Sequence, residues 1–564
     1  LSKTDYAAIL ARAVQVNAAI YATDLKVVTG ANTISADHAQ ITPTTGTGAA
    51  PTFALDVSQL GGMFANHIFL VGTEAGLGVR NAGNVGASNG NLIVTAAGRL
   101  ENTGTLEGTR VELASAGDID NRNGTIRQTS SVGLTITAPV LSNTNGGIIG
   151  VEPVPAPTAG TGGGASTGGS AGTGGTTSPS TPTAGTGSGS GDATAPAPVA
   201  PPYVPTSPGS ITAAGTLLND AGKIFAGGPI SLQSASIQNN GGTLSLASMA
   251  VNQPSFSNQG GTLNISNAFT ANVGQFDNSA GGKIHAGALS ITSSGDLLNT
   301  DGELTSATDA NLAVGGKVEN TRGTISAAGG LTANVTGATI NSAGTLASNQ
   351  GLMLNTNSLE NTKGSIQSAQ AGVQLAVTNQ LVNGSGGGIG AATDLNVQAG
   401  SLSSSGSLRA GNDASVAVGG ALTNDGSITA GRHLTVAAGS AHGGSASVLG
   451  AGVQADGQLG GAGDLRVTST GALVANGTNL AAGNATLQGA SVDLSSSKTS
   501  ASNIAVTSTQ GNVTTNFAKV TTAGALAVKA AGAVSNIQGT LAANGTTAID
   551  AASLDSTSGT VAAV

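Results

Sequence analysis

The residues able to do chemistry are few and far apart. The chain holds five histidines, 28 carboxylates and no cysteine. Without cysteine there are no disulfides, thiolate nucleophiles, Fe–S clusters or thiolate zinc sites. His38, His67, His285, His433 and His442 form neither H-x-x-x-H nor H-E-x-x-H, so the spacing that brings two imidazoles onto one zinc is missing. Gly460-Gly461-Ala462-Gly463-Asp464 is one residue short of the repeated glycine-aspartate loop that binds calcium. Gly222-Lys223 is followed by Ile224 where a phosphate-binding loop needs Ser or Thr. Gly168-x-Ser170-x-Gly172 satisfies the nucleophile-elbow expression, but a Gly/Ser tract supplies such matches by chance. Glycosidases built on β-helices need clustered carboxylates. The densest local sets here are Glu303, Glu319-Asn320-Thr321-Arg322 and Glu360-Asn361-Thr362-Lys363. Stacking of repeats places Glu319 and Glu360 at equivalent positions, which reads as a solvated stripe. We therefore assign no catalytic, cofactor-binding or metal-binding residue, no cofactor and no enzymatic activity.

The elements that would have to position a site are unusual as well. Of 564 residues, 89 are Gly, 8% are charged, 2% are aromatic and none is Trp. Typical proteins carry about 7% Gly and about 25% charged residues. A net charge of −9 with only 19 Lys and Arg excludes a nucleic-acid surface. The 39% of apolar residues recur regularly, unlike those of a disordered chain. No run of 18 apolar residues marks a membrane-spanning helix. This composition suits a long repetitive β structure with a thin core.

The repeat is explicit after residue 210. Asn219, Asn239, Asn258, Asn278, Asn299, Asn320, Asn341, Asn361, Asn383 and Asn424 recur at spacings of 19 to 22 residues, with Ser404 standing in once. An apolar residue precedes each by two places, as Leu217, Phe256 and Leu297 do; for Asn341 the apolar partner is Ile340, one place before. A second apolar residue follows four to six places on, as at Ile224, Leu263 and Ile325. Pairs such as Leu289/Ile291 and Leu312/Val314 alternate at period two, the signature of strands. Each repeat is two or three short strands joined by turns, and it buries its apolar face only by stacking on its neighbours. The expected fold is all-β: a right-handed parallel β-helix, a solenoid with 19 to 22 residues per coil. The Asn column then has two structural uses, a left-handed turn conformation and a ladder of side-chain amides from coil to coil.

The same frame holds at Asn102, Asn121 and Asn143. Between Asn143 and Asn219 lies a stretch, 151–208, with eleven of the 16 prolines and only Glu152 and Asp192 charged. Its flanks match a single interrupted coil. It is expected to be a disordered arm leaving one side of the shaft, not a linker between domains. From 437 to 533 the Asn frame fades while alternation persists, which suggests a changed coil register. At the other end, Tyr6, Ile9, Leu10, Ala13, Val14, Asn17 and Ile20 fall on a helical period, so a short amphipathic helix is predicted over 4–22. The chain opens on Leu1 with no basic or apolar leader and reads as a stretch of a longer protein.

Two segments carry a resemblance. They are 11–31, ARAVQVNAAIYATDLKVVTGA, and 54–83, ALDVSQLGGMFANHIFLVGTEAGLGVRNAG. Both resemble the later part of the secretion domain of two-partner-secretion exoproteins, the filamentous haemagglutinins and contact-dependent growth-inhibition proteins of Gram-negative bacteria. The asparagine-proline motifs of the early secretion domain are absent. The downstream repeats resemble filamentous-haemagglutinin repeats. The resemblance implies a β-helix secreted through an outer-membrane β-barrel transporter to the cell surface. It also implies a receptor on a host or neighbouring cell. The expected division is 1–90 secretion domain, 91–150 repeats, 151–208 insertion, 209–436 regular repeats and 437–564 less regular repeats. The expected role is the shaft of a filamentous adhesin, a monomeric rod that does not bind nucleic acid. The alternative is the stalk of a growth-inhibition protein whose toxin is not among these residues.

Overall fold

A computed structural model describes residues 4–130, 133–151, 209–226, 230–460 and 462–563. Among them there is no helix. One continuous sheet takes in 56 strands, and only the hairpin Asn32–Ile34/Ile41–Pro43 stands outside it. The sheet winds into a parallel β-solenoid of about 24 turns with about 21 residues per turn. At a strand spacing of about 4.8 Å this is a rod of about 115 Å.

Each coil has three faces. In one regular coil Ala310–Val314 forms the first, Val318–Glu319 the second and Thr324–Ala327 the third. Each strand pairs in parallel with its counterpart one coil on: Ala310 with Leu331, Val318 with Thr339, Thr324 with Thr345. Alternate residues point inward, so Ala310, Leu312 and Val314 are buried while Asn311 and Ala313 are exposed. The apolar columns read from the sequence line one continuous core. Three aromatic rings cluster in the interior: Phe256, Phe269 and Phe276 pack at centroid distances of 5.1 to 6.2 Å.

Four expectations change. The helix over 4–22 is replaced by strands Thr4–Ala11, Val14–Val16 and Ala19–Thr29, which make the first coil and begin the second. Thr4–Ala11 lies along Ala19–Thr29, with Ile9 opposite Val27. Ile9, Val14 and Ile20 do pack on the core, but from three faces of a coil. Two strand corners imitate a helical period in so short a window, and pairing with the open sheet edge overrides that local signal. At Asn341 the inward position two places before is Thr339, buried and bonded to Thr356 Oγ1 at 3.0 Å; Ile340 is only half-buried. Beyond 437 the register does not change. Leu465 stacks on Leu434, Val492 on Leu473 and Val513 on Val492. Only the column residue differs: Gly443, Ala475, Leu494 and Thr515 take the Asn place, and 452–464 lengthens one coil.

The fourth change is one of backbone conformation: the column asparagines are not the left-handed residues of the corners. The flanks of the insertion stack as one interrupted coil. Leu134–Ala138 pairs with Gly209–Leu218, and Ile148 and Ile149 pair with Lys223 and Ile224. The coils on either side are therefore adjacent in one shaft. The arm itself, and the Gly168-x-Ser170-x-Gly172 match within it, lie outside the described residues.

Candidate functional site

The structure scatters the titratable residues. His67 Nδ1 accepts the Asn91 N–H at 3.3 Å, and His285 Nδ1 lies 2.7 Å from Thr305 Oγ1. His433 Nδ1 accepts the Asp464 N–H at 3.2 Å, whereas His442 is exposed one coil face away. His38 sits at a turn with φ of 57°, its carbonyl accepting from Lys26 Nζ. Glu319 and Glu360 do occupy one column, with Ile340 between them. Each closes on its own turn: Glu319 accepts from Lys317 and Thr321, Glu360 from Thr362. Among the described residues no three His, Asp or Glu side chains converge as metal ligands would.

What the fold does assemble is the amide ladder. Thirteen asparagines, Asn81 through Asn383, are joined by Nδ2-to-Oδ1 bonds of 2.6 to 2.9 Å, each crossing one coil step. The bond from Asn143 to Asn219, 2.7 Å, crosses the insertion without interruption. All thirteen are buried. Each Nδ2 also reaches backbone carbonyls; Asn320 Nδ2 donates to Gly323 O and Thr345 O. A buried amide in an apolar shaft must be satisfied in this way. Asn81 escaped the sequence reading, although Val79 and Val85 place it in the frame. It lies within the segment 54–83 that resembles the secretion domain.

The left-handed conformation falls elsewhere than expected. The ladder asparagines do not adopt it; a nearby turn residue does, as at Asp301, Arg322, Ala343 and Lys363, with φ of 55 to 58°. The glycine that follows is sterically required. A Cβ on Gly323 would stand 2.1 Å from Asn299 O and 2.6 Å from Asn320 Oδ1. The motif is thus Asn, two turn residues, Gly, and it couples one coil to the preceding one.

Outside, charges are paired along the axis. Arg80 bonds Asp56, Arg127 bonds Glu107, Arg322 bonds Asp301 and Arg432 bonds Asp413, each one coil apart. Hydrogen bonding from Arg432 holds the Asp413 carboxyl down at about 2. The Arg322 guanidinium lowers Asp301, and Arg12 lowers Glu74, for the same reason. A second set, not foreseen from sequence, caps the corners. Asp296, Asp309, Asp464 and Asn503 each accept a backbone N–H from the next coil at 2.7 to 2.9 Å. Near the start, Arg12 grips Glu74 through two bonds and Thr47 O through a third, pinning the segment that carries the external hairpin.

Comparison with known proteins agrees with this organisation. The TPS secretion domain profile matches residues 1–102. The haemagglutinin repeat profile matches 186–255, 250–301, 300–385, 357–424, 389–475, 451–517 and 519–564, well over half of the chain. The tRNA nuclease CdiA-2 of Burkholderia pseudomallei (strain 1026b) is 50% identical over 99 residues, 18% of this chain and 3% of that protein. The toxin CdiA of Yersinia pestis is 46% identical over 103 residues, 18% of this chain and 3% of its own. The tRNA nuclease CdiA of Escherichia coli O6:K15:H31 (strain 536 / UPEC) is 38% identical over 145 residues, 25% and 4% respectively. The matched part thus spans only 3–4% of these relatives' length. No solved structure matches the chain significantly. With a TPS secretion domain at one end and haemagglutinin repeats over most of the remainder, the chain belongs to the two-partner-secretion exoproteins of the filamentous haemagglutinin and contact-dependent growth-inhibition family, secreted and cell-surface proteins of Gram-negative bacteria.

Proposed function

We propose that the chain is the shaft of a filamentous adhesin that attaches the producing bacterium to other cells, and that it is not an enzyme. The observation that carries this is the haemagglutinin-repeat solenoid, whose buried polar residues serve coil stacking. Its carboxylates close on their own turns or on neighbouring coils, which supports a structural role. In this reading residues 1–90 serve export, 91–150 and 209–564 form a monomeric rod, and the receptor is on a host or neighbouring cell. Beads coated with the purified chain should be retained on cell monolayers under flow, and uncoated beads washed away. Equal loss of both overturns the adhesive reading.

The second reading is a stalk that holds a toxin away from the producing cell. The names of the relatives, CdiA toxins and tRNA nucleases, favour it weakly, since they match over only 18–25% of this chain. A passive stalk gives no bead retention.

A further inference from the structure

Aromatic side chains make up 2% of this protein, yet two of them stack on the outside of the secretion domain. Tyr21 and Phe64 are neighbours in one outward column of the third face, with centroids 5.4 Å apart and planes 21° from parallel. Tyr21 is 45% exposed. The column continues through Gly86 to Glu107 and Arg127. Gly86 has no side chain, so a bay of about 420 Å³ opens between the Phe64 ring and the Glu107 carboxylate. Two coil steps separate those walls, about 10 Å of backbone spacing.

The lining has a definite chemistry. One wall is an aromatic face, suited to the C–H face of a ring at about 4 Å. The opposite wall is a carboxylate whose Oε2 is held by Arg127, while no donor among the described residues reaches its Oε1. The parallel column supplies Asn84 and Thr105, whose side chains also lack hydrogen-bond partners among the described residues. Arg127 cancels the charge of Glu107, so the bay is neutral overall and offers acceptors and donors around an aromatic floor plate. An apolar peptide side chain would leave these polar groups unpaired. An anionic ligand would meet the carboxylate.

We infer that the Tyr21–Phe64 bay binds a neutral hexopyranose, its ring stacked on Phe64 and its hydroxyls bonded to Glu107, Asn84 and Thr105. This deepens the adhesive reading by naming a ligand class, but it is measured without cells, so either can fail alone. The probes are the methyl α- and β-glycosides of glucose, galactose and mannose, with methyl β-glucuronide as the charged control. Saturation-transfer NMR on the full 564-residue chain is expected to show contact with at least one neutral glycoside and weaker contact with the glucuronide. Phe64→Ala should weaken that binding at least tenfold. Gly86→Val should do the same by filling the bay; its Cβ has only Phe64 Cδ1 nearby, at 3.7 Å, so the melting temperature should stay unchanged. No transfer to any neutral glycoside overturns the inference. So does binding that survives Gly86→Val, or a preference for the glucuronide.

Discussion

Ser404 shows what a single missing amide does. It stands between Asn383 and Asn424, and its hydroxyl is 3.5 Å from Asn383 Nδ2. Asn424 Oδ1, buried, finds no hydrogen-bond partner among the described residues. Ser404→Asn should restore the run, because Gly406 gives the same Asn-x-Gly turn that follows Asn81 and Asn102. We expect a gain of about 1 kcal/mol, read as slower hydrogen exchange in the coils on either side. The converse change is Gly323→Ala. Its Cβ would collide with Asn299 O and Asn320 Oδ1, at an expected cost of about 3 kcal/mol in local opening. The ladder itself was legible in the sequence because Asn recurs in phase with apolar residues. The left-handed turn position was not, since Asp301, Arg322, Ala343 and Lys363 share no side-chain property. That position is imposed by the corner, not chosen by the residue.

Coils are tied to one another on the outside by single ion pairs, and one of these sets a pH response. Asp413 is held at about 2 by its bond from Arg432. A depressed carboxylate favours the folded state above its ordinary range near 4, and that contribution is lost as pH falls from about 4 through 2. Arg432→Gln should bring the Asp413 titration back toward 4 in a carboxyl-carbon NMR titration, with no change in coil stacking at neutral pH. At this scale the sequence was read unevenly. Strands with three alternating apolar residues, such as Ala310–Val314, announce themselves. The first coil does not, because its strands are interrupted by corners and its partner lies in the next coil. The corner caps at Asp296, Asp309 and Asn503 were invisible for the same reason: their acceptor role exists only once coils are stacked.

Over the whole molecule each coil touches only its neighbours, so stability is a sum of local terms. The cluster of Phe256, Phe269 and Phe276 is a firm segment in a shaft filled mainly by aliphatic side chains and the asparagine column. Phe256→Ala should cost about 3–5 kcal/mol, and the loss of exchange protection should stay within the coils around 244–297, leaving 485–530 unchanged. The fold class and the continuity of the shaft on both sides of the insertion follow from periodicity, since every coil repeats one problem of burial. The ligand does not, because a surface bay depends on which residues fall in one column, and one column spans coils about 20 residues apart. The measurement that bears most directly on the account is equilibrium binding of fluorescently labelled, folded chain to intact cells. It should be saturable, competed by unlabelled chain and absent for heat-unfolded chain. Folded chain that stays in solution at every concentration would contradict an adhesive shaft.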